Sequence, residues 1–359
     1  MIAKPDLVVT PSILGEDGIS CLARQVVKAL CEIHSGRAIE VWSWTDGDRH
    51  SPGAAPSGAR LRALERSYLR LAEWVTRECW SLQRGRFLFV LHVHLAPAVL
   101  PLVARGATLV PFLLGIEVWK PLSKLQRAAL HRGAPLIGIS QYTITEFKRA
   151  NPDFADKEAK LCHPGLPDGI ETYPSAGACQ FALIVGRMAA NERYKGHDSL
   201  LEIWGEVLRR APGVRLVVVG DGDDRSRLQA KAESLGLKEE VRFTGQVSVQ
   251  VRESLYQQSC FMVPPSRGEG FGFVFLEAMR QAKPAIASRG ASSEIVESGE
   301  TGFVVDPDDR PALMEAIVRL FQEEELRKRM GERARTRFQE HFTTECFRNR
   351  LQAILGARG

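Results

Sequence analysis

The chain has seven cysteines and no C-x-x-C pair. Their spacing builds neither a zinc ribbon nor a disulfide framework, so a reducing compartment is expected. No G-x-G-x-x-G follows the first strand-like run; that segment reads GEDGIS (Gly15 to Ser20), and no acidic residue is placed to read a ribose. A nicotinamide dehydrogenase is thereby disfavoured. The N-terminus, MIAKPDLVVT, passes straight into strand-like sequence without a signal-peptide core and cleavage site, so a cytoplasmic location is expected. One charge-free apolar run, Phe87 to Val103, has 17 residues but contains His92, His94, Pro97 and Pro101. It predicts a buried strand followed by a short helix rather than a membrane span. Basic residues with interleaved aromatics on a recognisable module are also missing, apart from residues 60–86, so no nucleic-acid partner is expected.

With 44% hydrophobic and 25% charged residues, the chain has the make-up of a globular protein that buries sizeable cores. Its 359 residues exceed what one core usually organises, and two domains are expected. The formal charge of +5 is uneven: residues 1–170 hold 21 Lys and Arg against 16 Asp and Glu, whereas residues 171–359 hold 27 of each class. A basic first half suits an acidic partner such as anionic membrane lipid or lipid-linked phosphate, and equally a mildly basic solvated surface.

Short apolar, β-branched runs alternate with amphipathic stretches, the pattern of parallel sheets with crossover helices. In the first half these runs are DLVVT (6–10), IEVWSW (39–44), FLFVLHVH (87–94), ATLVPFLL (107–114) and PLIGIS (135–140). The alternation stops near Pro164, where PGLPDGIETYPSAGA (164–178) reads as an interdomain linker. It restarts with FALIVG (181–186), VRLVVVG (214–220), VRFTG (241–245), CFMVPP (260–265), KPAIAS (283–288) and GFVV (302–305). The predicted fold is α/β, with two doubly wound Rossmann-like domains at 1–170 and 171–335 and a helical segment at 336–359 crossing back to the first. Ligands of such sheets bind beyond the carboxyl ends of the strands, which puts the expected active site in the cleft between the domains.

Residues 60–86 carry seven Arg at a roughly helical period, with Leu61, Leu64, Tyr68, Leu71, Trp74 and Val75 available for one face. Two readings are open: a helix packed on a sheet, and an interfacial helix touching a membrane.

The chemistry concentrates in the second half. After CFMVPP comes SRGEGFGFVFLEAM, with glycines at 268, 270 and 272 ahead of a helix-forming run. Glycine lets backbone approach a ligand closely, and a helix's first turn favours phosphate, so the loop reads as a diphosphate cradle. Glu269 in the loop and Glu277 about one turn into the helix suit sugar or ribose hydroxyls, because a carboxylate accepts charge-assisted hydrogen bonds. FALIVG ends at Arg187, and Lys195 and Gly196 follow before a helix beginning near His197. Two cations there can neutralise a leaving nucleoside diphosphate without a metal.

In order and spacing, IVGRMAANERYKGHDSLLEIW, VRLVVVGDGDD, VRFTGQV, VPPSRGEGFGFVFLEAM and KPAIASRGASSEIVESGETGFVV resemble the donor domain of glycosyltransferase family 4. The first half resembles the family more loosely, through the loop from Gly15 to Gly18, HVH at 92–94 and GISQYT at 138–143. The resemblance implies a GT-B fold whose first domain binds the acceptor and whose second binds a nucleotide-sugar donor. It implies that Gly186, Arg187 and Lys195 hold the diphosphate, that Glu277 holds the ribose, and that Glu269 with Gly270, Phe271 and Gly272 forms the sugar and phosphate pocket. Arg187, Lys195 and Glu269 are its catalytic candidates, and Gly15, Gly18, His94 and Glu117 its candidate first-domain contacts.

Members of the family transfer a sugar with retention and usually without a bound metal. The implied activity is hexose transfer from UDP- or GDP-sugar to a hydroxyl of a saccharide or glycolipid acceptor in cell-surface polysaccharide or glycolipid synthesis. The implied setting is the inner face of the cytoplasmic membrane. No cofactor is expected. Many relatives carry a His in a motif like H-G-x-E at the end of a first-domain strand; here LLGIEVW has Leu114 in that place, with Glu117 kept. A silent sugar-nucleotide-binding or scaffolding relative and a nucleotide-sugar epimerase of the same fold are the alternatives. DGDD at 221–224 resembles a metal-binding D-x-D but is expected to be a turn whose Asp residues cap the next helix. His92 and His94, alternating on a strand, would share one face without an evident third ligand.

Overall fold

The computed structural model describes residues 6–34, 39–47, 56–81, 85–169 and 179–356. The chain divides into two compact units, Met1–Gly165 with Thr344–Gly359, and Leu166–Thr343. Each is built on one parallel sheet.

The first sheet comprises β1 (Leu7–Thr10), β2 (Ile39–Ser43), β3 (Ala59–Ala63), β4 (Phe87–Val90), β5 (Thr108–Leu113), β6 (Leu136–Gly138) and β7 (Ala159–Leu161), in the order β3-β2-β1-β4-β5-β6-β7. The second comprises β8 (Phe181–Val185), β9 (Arg215–Val219), β10 (Val241–Gly245), β11 (Phe261–Met262), β12 (Ala285–Ser288) and β13 (Gly302–Val305), in the order β10-β9-β8-β11-β12-β13. Parallel strands covered on both faces need apolar residues at successive positions. All four residues of β1 and all five of β2 are buried accordingly. The eleven apolar runs read from the sequence each contain one of these strands. Two strands were not anticipated, β3 and β7.

The omission of β3 reflects a misread period. Residues 60–86 are not one helix: Arg60 and Arg62 alternate along edge strand β3, and Glu65 and Arg66 then take left-handed φ values of 50° and 58° before the helix Tyr68–Ser81. Of the apolar face expected there, Leu64, Leu71 and Val75 are buried, whereas Tyr68 is 77% exposed. Similarly, FLFVLHVH is a strand only as far as Val90. A 3-10 helix (Val93–Val99) and a short α-helix (Leu100–Ala104) follow, as the prolines favour. No helix among the described residues is long and apolar enough to cross a membrane.

The division between units falls at Gly165/Leu166; the expected boundary at 170/171 lies outside the described residues, as do residues 170–178 of the expected linker. At the other end, the helix Glu324–His341 stays with the second unit, burying Ala334 and Phe338, and Phe342 is buried just after it. The return to the first unit therefore comes at Thr343/Thr344, not at 335/336. The helix Thr344–Gly356 buries Phe347 and Leu351 and packs against the helix Gly18–Ile33.

Candidate active site

In a doubly wound sheet the crevice opens where successive strands turn to opposite sides. In the second unit that point lies between β8 and β11. The loop leaving β8 carries Gly186, Arg187 and Lys195, and the loop leaving β11 carries Glu269 to Gly272. Backbone laces the two together. Arg267 N–H donates to Tyr194 C=O at 2.8 Å, and a Cβ placed on Gly196, whose φ is +86°, would lie 2.3 Å from Pro265 O.

The β9 end clamps the first loop from the other side. Gly186 N–H donates to Val219 C=O (3.0 Å), Met188 N–H to Asp221 C=O (2.9 Å) and Asp224 N–H to Met188 C=O (2.9 Å). Any Cβ at Gly220 or Gly222 would fall 2.0 or 2.1 Å from the carbonyl oxygen of Gly186 or Met188, so glycine is required at both. The DGDD segment has a different role from the capping expected of it: Asp224 precedes the helix Arg225–Ser234 without a side-chain cap bond. Instead, Asp223 accepts from Ala190 N–H (2.8 Å), and buried Asp224 binds Arg193 (3.1 Å) and Arg227 (2.6 Å). Arg227 also grips Asp198. Hydrogen bonds from Arg227 hold both Asp198 and Asp224 below the usual carboxylate range.

Within the loop, Arg187 and Lys195 converge on a residue that the sequence did not single out. Glu192 accepts from Arg187 Nε at 3.1 Å and from a second guanidinium nitrogen, and Lys195 Nζ lies 3.6 Å from the same carboxylate. Burial raises the Glu192 carboxyl, but Arg187 and Lys195 outweigh it and hold the group below its ordinary value. Glu269 is half-buried and its carboxyl is raised by burial, partly offset by Lys195. Phe271 is buried, and Gly272 has φ +103° as the N-cap of the helix Phe273–Arg280, where as a glycine it supplies no side-chain cap. Glu277 lies in that helix and accepts from the hydroxyl of fully buried Tyr256 at 2.7 Å, with Arg252 3.5 Å away. Burial raises its carboxyl too, against the pull of Arg252 and Tyr256.

The first unit repeats the arrangement at its own switch point, between β1 and β4. Gly15 lies in the loop after β1, and Gly18 opens the helix Gly18–Ile33 behind its cap, Asp17. Buried Asp46 ties this loop down, accepting from Ser12 Oγ (2.7 Å), Ile13 N–H (2.8 Å) and Ser43 Oγ (2.7 Å). After β4, the rings of His92 and His94 stack with centroids 4.9 Å apart, but through a turn rather than along a strand: His94 N–H donates to His92 Nδ1. His94 Nδ1 also meets Gln126 Nε2 at 2.8 Å. Burial, with His94 and Lys120 nearby, lowers the His92 pKa to about 4. After β5, buried Leu114 and Gly115 donate their N–H groups to Glu117 Oε1 at 2.8 and 3.0 Å, so Glu117 shapes this loop. Its carboxyl is raised by burial.

Sequence reasoning missed Glu192, Asp46, Tyr256 and the loop-holding role of Asp224. Only DGDD offered a signal, since two consecutive glycine-to-carbonyl approaches need a G-x-G such as Gly220-Asp221-Gly222.

Two such parallel sheets of seven and six strands define the GT-B glycosyltransferase architecture. Residues 176–337 match the family described as Glycosyl transferases group 1. HepE of Anabaena, solved in complex with UDP, superposes with a TM-score of 0.80 over 98% of this chain and 100% of its own, at 17% identity. Sucrose-phosphate synthase of Thermosynechococcus elongatus superposes with a TM-score of 0.78 over 99% and 100%, at 20% identity. In sequence, the chain is 34% identical to alpha-D-kanosaminyltransferase of Streptomyces kanamyceticus over 62% of this chain and 61% of that protein. It is 35% identical to O-antigen chain mannosyltransferase C of Escherichia coli over 46% and 43%. The chain thus spans less than two thirds of the curated relatives it matches.

Proposed function

We propose that the protein is a retaining, metal-independent hexosyltransferase of glycosyltransferase family 4, using a UDP- or GDP-sugar and a hydroxyl of a saccharide or lipid-linked acceptor. The observation that carries this reading is the meeting of Arg187, Lys195, Glu269 and the Gly270–Gly272 backbone on two interlocked loops at one switch point. Arg187 and Lys195 neutralise the departing diphosphate, as preorganised charge does for a developing anion. Glu277, oriented by Tyr256, accepts from the ribose hydroxyls, and Glu269 accepts from the donor sugar. The carboxylates act as binders, and the departing phosphate takes the acceptor's proton during attack on the same face. UDP and UDP-glucose bound to the structural relative HepE support a nucleotide-sugar donor. A relative named as an O-antigen chain mannosyltransferase supports a saccharide acceptor. The excess of Lys and Arg in residues 1–170 supports work at the inner membrane face, and absence of binding to anionic vesicles at low salt would remove that part.

A panel of UDP- and GDP-sugars tests the central reading. An active transferase hydrolyses its own donor slowly without acceptor, and anomer-resolved products with acceptor show retention. Leu114, where many family members have a histidine, favours the silent-binder alternative. That alternative predicts a nucleotide-induced rise in melting temperature with no turnover of any donor.

A further inference from the structure

The two cations assigned to the donor diphosphate share an anion that belongs to the chain. Glu192 stands five residues after Arg187 and three before Lys195, inside the 3-10 segment Ala190–Lys195. Its own φ and ψ, −120° and 28°, leave the helical region, and its carboxylate reaches back to the Arg187 guanidinium through both oxygens. The side chain of Glu192 is 15% exposed, against 62% for Arg187 and 26% for Lys195. The carboxylate is thus tucked beneath the cations, held by hydrogen bonds from Arg187 and by nearby Lys195. A two-oxygen anion chelated by the guanidinium and near the ammonium presents what a phosphate oxygen pair presents.

We propose that Glu192 is an internal counter-ion that competes with the nucleoside diphosphate for Arg187 and Lys195, setting how tightly that group is held and how fast it leaves. The proposal rests on the assignment of those cations to the diphosphate. The geometry admits one tenant at a time: a phosphate that takes both guanidinium donors turned toward Glu192 must displace the carboxylate. The competitor is tethered by a few residues, so its effective concentration is high and its return is fast. If the internal pair is closed about nine-tenths of the time, apparent affinity for the diphosphate falls about tenfold. With Glu192 ionised, the cluster of Arg187, Lys195 and Glu192 carries one net positive charge instead of two. After transfer, the returning carboxylate compensates the cations as the spent nucleotide departs.

Titration calorimetry of the full chain with UDP, GDP and inorganic pyrophosphate at low salt tests this, with stopped-flow dissociation of the tightest binder. Glu192→Gln and Glu192→Ala are expected to tighten binding about tenfold and slow dissociation by a similar factor. Arg187→Ala is expected to weaken binding, and Glu206→Gln, which breaks a surface pair with Arg209, to leave it unchanged. Unchanged or weaker binding in both Glu192 variants, with Arg187→Ala still weakened, overturns the counter-ion role and leaves the diphosphate assignment standing. Equal tightening by Glu206→Gln overturns it as well, since charge anywhere on the surface would then suffice. No binding by the wild type, or wild-type binding by Arg187→Ala, overturns the assignment and the counter-ion role together.

Discussion

At the scale of single residues, the site is legible where chemistry demands a rare combination and illegible where a common residue does a supporting job. Glu269 and Glu277 stood out because one sits among the glycines of a strand-to-helix loop and the other in the helix after it, and Arg187 and Lys195 because they lie in the loop that leaves β8. Replacing Lys195 or Arg187 with Ala should lower kcat/KM by about 10² or more if they stabilise the leaving group, and steady-state kinetics decides it. Tyr256 gave no such signal. Its hydroxyl matters only because tertiary packing points it at Glu277. Tyr256→Phe should cost about 1 kcal/mol of stability and selectively weaken ribonucleotide binding, narrowing the preference for UDP over 2′-deoxy-UDP. An unaltered preference would show that Tyr256 does not position Glu277.

At the scale of elements, the period of apolar residues located the helices and strands well where both faces of a strand are buried. It failed where an edge strand has a helix-like composition. The Arg pair of β3 alternates, but Leu61 and Leu64 also fit a helical spacing, and only the left-handed turn at Glu65 and Arg66 separates strand from helix. The loop between β8 and the helix His197–Arg210 is held by glycine approaches and by Asp223 and Asp224, none of which a periodicity test can see. Gly222→Ala should cost at least 2 kcal/mol in denaturant unfolding, since its Cβ would lie 2.1 Å from Met188 O at a φ of +154°, and should weaken nucleotide binding as the loop shifts. Folded carboxyl groups at Asp198 and Asp224 are depressed, so the stability they contribute is present above the unfolded carboxylate range and is lost as pH falls below it.

At the scale of the whole molecule, each unit has its own parallel sheet and its own core, and the chain returns to the first unit for its last helix. Phe347→Ala should destabilise that unit by about 3–5 kcal/mol, because the ring is fully buried, and unfolding followed by tryptophan fluorescence measures it. In the second unit, burial and neighbouring Lys195 lower the His197 pKa to about 4, and its Nε2 has no hydrogen-bond partner among the described residues. The unfolded chain takes up this proton near pH 6.5 and the folded one only near 4, so stability falls as pH drops through that window, by on the order of 3 kcal/mol. His197→Leu should flatten the dependence between pH 6.5 and 4 in urea unfolding. An unchanged slope would assign it to other groups.

The alternation of apolar runs was enough to establish two doubly wound α/β halves, because a strand covered on both faces must be apolar almost throughout. The glycine loop and its flanking charges were enough to single out two segments that the fold brings to one switch point, because close backbone approach requires glycine. Only the folded chain decided that Glu192 sits between Arg187 and Lys195, that Tyr256 holds Glu277, and that Asp223 and Asp224 grip the loop instead of capping a helix. The first depends on how one loop turns back on itself and the others on where side chains from separate segments meet, and no local spacing encodes either.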